Sequence, residues 1–208
     1  MKKLTLTSND DMTLENAFKD FISFKKINNL SEESIAFYKN CFASFAEFYD
    51  TSSFCETITE SIVYKYIEHL QSKNIVDISV NSYLRGLRVF LYFCMNRGYV
   101  NRFNIKLIKS EKVAKETYTN EEVEILLKKP DVKRCSFSEY RNWVMVNYFI
   151  GTGNRLRTAI NLLCKDIDFD NDIIKLTTTK SRKQQYIPMS ATLKEILKEY
   201  IIHRKRPA

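Results

Sequence analysis

Four glycines and three prolines are all the chain-breaking punctuation that these 208 residues carry, roughly 3% of the sequence where average usage supplies about 12%. A chain so poor in residues that supply positive φ or fixed turns is not collagen-like, linker-rich or a turn-dense all-β protein, and the scarcity favours helices. Hydrophobic residues make up 44% and aromatics 13%, enough for a sizeable core, which excludes wholesale disorder. The length admits one large domain or two small ones. Lys plus Arg number 33 against 25 Asp plus Glu, a formal charge of +8. Such an excess suits a polyanionic partner or a merely basic surface, and composition alone does not choose between them. The five cysteines, Cys41, Cys55, Cys94, Cys135 and Cys164, are scattered and never spaced as CxxC, so neither a disulfide framework nor a metal site is expected. They fit buried thiols in a reducing cytoplasm. The N-terminal lysines precede no apolar segment of the signal-peptide kind. The longest apolar run, residues 89–95, is far short of the ~20 residues of a spanning helix, so no membrane partner is expected.

Between Thr13 and Gly98 apolar residues recur at helical spacing in four blocks. Leu14, Ala17, Phe18, Phe21 and Ile22 mark the first; Ile35, Tyr38, Phe42, Phe45 and Tyr49 mark the second, with Ser31 placed as its N-cap. Ile62, Val63, Tyr66, Ile67 and Leu70, opened by Thr59, mark the third. Val80, Tyr83, Leu84, Leu87, Phe90, Leu91 and Cys94 mark the fourth, which stops at Gly98, a residue suited to a left-handed cap. Four helices with one apolar stripe each make a compact bundle over residues 12–101.

Residues 102–117 change character. Arg102, Lys106, Lys109, Lys112 and Lys115 stand against Glu111 between positions 102 and 115. The stretch reads as an interdomain linker or, because the lysines fall every three residues, as a solvated helix; either lies well along a phosphate backbone. A second unit, residues 118–208, opens with the capping box Thr119 to Glu122. A strongly apolar helix runs from about Ser138 to Gly151. The turn Gly151-Thr152-Gly153-Asn154 leads into another helix, beginning near Arg155 and carrying Ile160, Leu162 and Leu163. Residues 173–179 are β-branched and strand-like only after the acidic run 166–172, and residues 184–189 can return as a hairpin partner, with Pro188 at an edge or a strand end. Ser190 caps a last helix with Leu193, Ile196, Leu197, Tyr200 and Ile201 on its apolar stripe.

Several of these segments, taken in order, resemble the tyrosine recombinase (phage integrase) family. Leu30-Ser31 with Ser34, Tyr38, Phe42, Phe45 and Phe48 resembles the second helix of its core-binding domain, and Asn81-Ser82-Tyr83-Leu84-Arg85-Gly86-Leu87-Arg88 through Arg97-Gly98-Tyr99 resembles the fourth. Gly151-Thr152-Gly153-Asn154-Arg155-Leu156, followed by Leu162 and Asp166-Ile167-Asp168, is similar to the first arginine motif. Thr179-Lys180-Ser181-Arg182-Lys183, leading to Ile187-Pro188, is similar to the β-hairpin lysine motif. The implied fold is mainly α: an N-terminal four-helix core-binding (SAM-like) domain plus the first half of an α+β catalytic domain with a small β-hairpin or sheet.

In this family, the resemblance implies, a tyrosine attacks a DNA phosphodiester and leaves a 3′-phosphotyrosyl link and a free 5′-hydroxyl, with no cofactor. Charge builds on the phosphoryl oxygens, so fixed cationic donors are needed. Arg155, at a turn and near a helix start, is the expected catalytic arginine, aided by backbone amides. Lys180 is the expected general acid for the leaving oxygen, with Lys183 as the alternative. Where many relatives carry an acid three residues after the arginine, this chain has Thr158. Arg85 and Arg88 are DNA-facing or a plain solvated face; Lys109, Lys112, Arg182 and Lys183 complete the expected DNA contacts. The implied partners are double-stranded DNA and, in a full-length form, further copies on DNA, whereas this chain alone is expected to be monomeric.

The family's His-x-x-Arg pair and nucleophilic tyrosine have no convincing counterpart. His203 and Arg206 spell the pair formally, but they close the helix directly after the hairpin. Tyr200 belongs to that helix's apolar stripe. The chain is therefore expected to bind DNA without cutting it, either as part of a recombinase or as a naturally short DNA-binding regulator.

Overall fold

The computed structural model describes residues 12–111, 116–176 and 184–204, and the chain divides into two compact units, Met1–Ala114 and Lys115–Ala208. The first unit contains α1 (Leu14–Ile27), α2 (Glu32–Ala46), α3 (Glu60–Ser72) and α4 (Asp77–Arg97). Caps set the boundaries. The Thr13 and Ser31 hydroxyls accept from the backbone N–H of Asn16 and Ser34, and Gly98 ends α4 at φ 76°, in the left-handed region that favours glycine. Thr59 stands at the N-cap of α3 without a side-chain bond.

Aromatic rings fill the centre of this unit. Phe21 meets Tyr38, Phe90 and Phe93 edge-on at 5.1, 5.6 and 5.5 Å, and Phe18 stacks on Phe42 at 3.8 Å. Such pairs add about 0.5–1.5 kcal/mol each beyond the area they bury. α4 runs through the middle, with Leu84, Leu87, Phe90, Leu91 and Cys94 all buried. It crosses α2 so closely at Gly86 that a Cβ there would lie 2.3 Å from Cys41 Sγ and 2.6 Å from Cys41 Cβ. Burial pushes the Cys41 thiol up to about 11.

The stretch after α4 is neither helical nor free of the domain over residues 102–111. Val100 and Ile105 are buried, and Phe103, Leu107 and Ile108 pack half-buried against the first core. The backbone is pinned by side chains of α4. Buried Asn81 donates through Nδ2 to the Ile108 carbonyl at 2.9 Å and accepts the Ile108 N–H at 3.0 Å. The Tyr92 hydroxyl accepts from the Ile105 N–H at 3.3 Å and contacts Asn104 Oδ1 at 3.0 Å. Phe103, Ile105 and Leu107 alternate with Arg102, Asn104 and Lys106, which are exposed. That period of two is extended-chain patterning; the lysine spacing of three draws the eye from it.

The second unit contains α5 (Asn120–Leu127), α6 (Phe137–Thr152), α7 (Leu156–Ile160), β1 (Ile167–Asp168), β2 (Ile173–Leu176), β3 (Gln185–Pro188) and α8 (Ala191–His203). Two capping boxes, Thr119 with Glu122 and Ser136 with Glu139, start α5 and α6. The strands form an antiparallel sheet in the order β1-β2-β3, with Ile174 opposite both Ile167 and Ile187. Tyr140, Trp143, Val144 and Tyr148 of α6 pack with Ile174 and Leu176 of β2 and with Leu193, Ile196 and Leu197 of α8. Trp143 Nε1 donates to the Leu127 carbonyl at 2.8 Å, and Lys129 pairs with Glu199 at 2.7 Å. β3 is an edge strand that ends at Pro188, a residue with no N–H for the ladder.

Two sequence expectations are corrected in this unit. The helix after Arg155 lasts only five residues, so Leu162 and Leu163 follow it rather than ride on it. Strand structure starts earlier than position 173, at Ile167, because the turn at residues 169–172 pairs β1 with β2; the hairpin is thereby a three-stranded sheet. Among the described residues no helix is long and apolar enough to cross a membrane.

Two outcomes follow from the packing. Gly86→Ala must push α2 and α4 apart, and urea unfolding should show a loss of about 1–3 kcal/mol; an unchanged midpoint would mean that the crossing relaxes freely. Native protein at pH 8 should show two thiols, Cys135 and Cys164, reacting rapidly with a thiol reagent, while buried Cys41, Cys55 and Cys94 react only in denaturant.

Candidate functional site

The second unit's candidate site is built on the end of α6. The helix stops where Gly153 takes φ 63° and ψ 16°, its N–H bonded to the Phe149 carbonyl at 2.8 Å. A Cβ at Gly153 would meet nothing within 4 Å, so the glycine answers a backbone requirement and not a shortage of space. Asn154 follows, and Arg155 is the N-cap of α7, its carbonyl accepting from the N–H groups of Thr158 at 2.9 Å and Ala159 at 3.2 Å.

Three side chains lock this turn. The Thr152 hydroxyl donates to the Tyr148 carbonyl at 2.6 Å and accepts the Asn154 N–H at 3.3 Å. Asn154 Nδ2 donates to the Tyr148 hydroxyl at 2.7 Å. Tyr148 is itself buried in the core, and burial pushes its phenol above the ordinary value, so the oxygen stays a neutral acceptor. The backbone of Arg155 is thus fixed from both sides while its side chain is exposed. Among the described residues no carboxylate pairs with its guanidinium. An exposed, unpaired planar fork on a fixed turn is suited to two oxygens of one phosphate. α7 is too short to add much of a dipole, so the backbone-amide contribution expected at its start is small.

The segment beyond α7 is also tied down. Asp166, 6% exposed, accepts the Leu163 N–H at 2.9 Å, and Asp168 accepts the Asn171 side-chain and backbone N–H groups at 2.9 and 3.0 Å, which hold its carboxyl below the usual range. Lys180, Arg182 and Lys183 fall between β2 and β3, outside the described residues, as do Lys112 and Arg206. The Tyr200 ring is half-buried and stacks on Phe137 at 6.0 Å. His203 meets the Tyr140 ring edge-on at 5.8 Å and lies 3.9 Å from the Glu199 carboxylate.

In the first unit Arg85 is exposed and Arg88 half-buried on α4, and Lys109 is exposed one residue beyond the Asn81 clamp. Sequence reading missed Asn81 and Tyr92 as the residues that hold that segment, and Tyr148 and Asn154 as those that hold Arg155. A signal for the first was present: Asn81 is a polar residue beside Val80 and Leu84 on the buried stripe of the fourth helix.

The chain thus carries a four-helix unit and a second unit that combines an arginine presented from a tight turn with a small antiparallel sheet. Residues 116–208 match the phage integrase family. A tyrosine recombinase XerC of Staphylococcus aureus (strain JH9) is 24% identical over 197 residues, 92% of this chain and 64% of the relative. The Tn1549 transposon integrase in complex with circular intermediate DNA has the same fold at a TM-score of 0.74 and 16% identity, over 95% of this chain and 67% of that one. A lambda integrase dimer bound to a core site does so at 0.70 and 14%, over 90% and 66%. The family match thus falls on the second unit, and the integrase fold is shared over 95% of the chain. The chain spans 64% of the length of the curated relatives it matches.

Tyr148→Phe should remove the acceptor of Asn154, lower the stability of the second unit by about 1 kcal/mol and speed amide exchange at Gly153, Asn154 and Arg155. Unchanged exchange there would show that the glycine alone fixes the turn.

Proposed function

We propose that this chain is the DNA-binding portion of a site-specific tyrosine recombinase, and that by itself it binds duplex DNA without cleaving it. The observation that carries the reading is Arg155: an exposed guanidinium with no carboxylate partner among the described residues, on a turn fixed by Tyr148 and Asn154. In the cleaving enzyme that such a chain forms part of, Arg155 stabilises the charge that builds on the phosphoryl oxygens, and Lys180 gives its proton to the leaving 5′-oxygen. Binding rests on Arg85 and Arg88 of α4, on Lys109, held in place by the docked segment, and on Lys112, Arg182 and Lys183. The DNA bound by the integrases of similar fold supports the same partner.

Cleavage is not assigned to the chain alone. Tyr200 packs its half-buried ring against Phe137 and Tyr140 on the apolar side of α8, and the Tyr148 hydroxyl is committed to Asn154. Domain limits of 12–101, 102–117 and 118–208 for binding domain, connector and catalytic portion belong to this reading.

Duplex affinity, followed by fluorescence anisotropy, should fall linearly on a log–log plot against salt as released counterions are counted. Arg85→Ala or Arg88→Ala should each weaken binding and reduce that slope by about one. Salt-independent binding, or none to any duplex, overturns the proposal. A nicked suicide duplex should trap no covalent adduct; an adduct abolished by Tyr200→Phe would refute the non-cleaving part.

A further inference from the structure

Between Asp77 and Glu111 the sequence contains no carboxylate, and every charged side chain there is Lys or Arg. The structure sorts these cations by a device in the docked chain after α4. Phe103, Ile105 and Leu107 turn inward along it, and Arg102, Asn104 and Lys106 are exposed. Strict alternation would continue with position 108 outward and Lys109 against the core. The period breaks at that point: Leu107 and Ile108 both pack on the first core, and Lys109 is exposed. Ile108 is the residue whose two backbone groups Asn81 takes, the carbonyl at 2.9 Å and the N–H at 3.0 Å. Asn81 is 2% exposed, so neither half of its amide can turn to water instead. The break thus lies where a side chain of α4 holds the backbone, and it sends Lys109 to the side of Arg102 and Lys106.

The anchors also fix the path of that chain. The Tyr92 hydroxyl accepts the Ile105 N–H and Asn81 holds Ile108, and the two anchors lie about three turns apart on one line of α4. Residues 105–108 therefore run antiparallel to the helix. With about 100° of rotation per residue, Arg85 and Arg88 fall on opposite sides of that line and within about 40° of it. Three outward cations of the docked chain are flanked by two from the helix beneath, and among the described residues none of the five has a carboxylate partner. We infer that Asn81 is a positioning residue for duplex binding: its clamp on Ile108 holds Arg102, Lys106 and Lys109 outward beside Arg85 and Arg88 as one preorganised cationic surface for a phosphate backbone. Side chains carried on a backbone that is already fixed leave less to be ordered when the duplex binds. The inference rests on the proposed DNA reading and adds Arg102 and Lys106 to its contacts.

The test uses the full chain and follows duplex affinity against salt by fluorescence anisotropy. Lys106→Ala and Lys109→Ala should each weaken binding about three- to tenfold and reduce the log–log salt slope by about one. Asn81→Ala should weaken it at least about tenfold while circular dichroism at the assay temperature stays native and the Ile108 amide exchanges faster. The discriminating readout is the cycle: in the Asn81→Ala background the two lysine substitutions should lose most of their effect. Ile108→Pro removes the N–H that Asn81 accepts and leaves the helices untouched, so it should give the same loss and the same cycle even where Asn81→Ala does not fold. Lysine substitutions that cost as much in both backgrounds would make Asn81 a structural residue only and overturn the inference. Native affinity and slope in Lys106→Ala and Lys109→Ala would overturn it too, and the DNA reading would still stand if Arg85→Ala weakens binding. A native chain that binds no duplex overturns both.

Discussion

The tight approach of α4 to α2 at Gly86 determines which way the rest of α4 faces. With no room for even a methyl group between that glycine and Cys41, the helix cannot rotate about its axis without a clash. Leu84, Leu87, Phe90 and Leu91 are thereby committed inward, and Arg85 is left exposed. The same rotation presents Asn81 and Tyr92 to the chain that returns along the bundle, where they replace the missing backbone partners of Ile105 and Ile108. A buried asparagine is costly unless its amide is satisfied. Here both halves of the amide are used on one residue, which turns a liability into a register mark for the docked segment.

The second unit solves a different problem, holding a long cation in place without an opposite charge. A carboxylate beside Arg155 would fix the guanidinium but also compete with any phosphate for it. This chain has Thr158 three residues on, and the hold comes from the backbone instead. Gly153 sets the turn, Thr152 and Asn154 brace it, and Tyr148 anchors the brace in the core. The charge remains available because the neutral network holds the main chain and leaves the side chain alone.

Much of this was legible in the sequence, and the parts that were not share a cause. Helix starts at Ser31, Thr119 and Ser190 and the stop at Gly98 are local chemistry, readable from neighbours within four residues. The stripes of Phe21, Phe45, Leu84 and Phe90 follow from helical period alone. The docking of residues 102–108 depends on partners in α4 more than ten positions away, and its alternating apolar residues were masked by the lysines among them. β1 is two residues long, too short for periodicity to register. Arg155 was identifiable from its turn, whereas its brace joins a tyrosine that looks like core to an asparagine that looks like loop. The hairpin positions Lys180, Arg182 and Lys183 lie outside the described residues.

The two units differ in how completely they bury what they carry. In the first, four helices and a docked segment close around a single aromatic centre. In the second, one helix, one short sheet and α8 share a smaller core, and Ile160 and Leu163 stay in water beside it. Apolar surface that is exposed when folded contributes nothing to stability, since it is exposed in the unfolded chain as well. α6 is the element that joins that core to the arginine: its Tyr148 is buried among the core residues and braces the turn at Arg155.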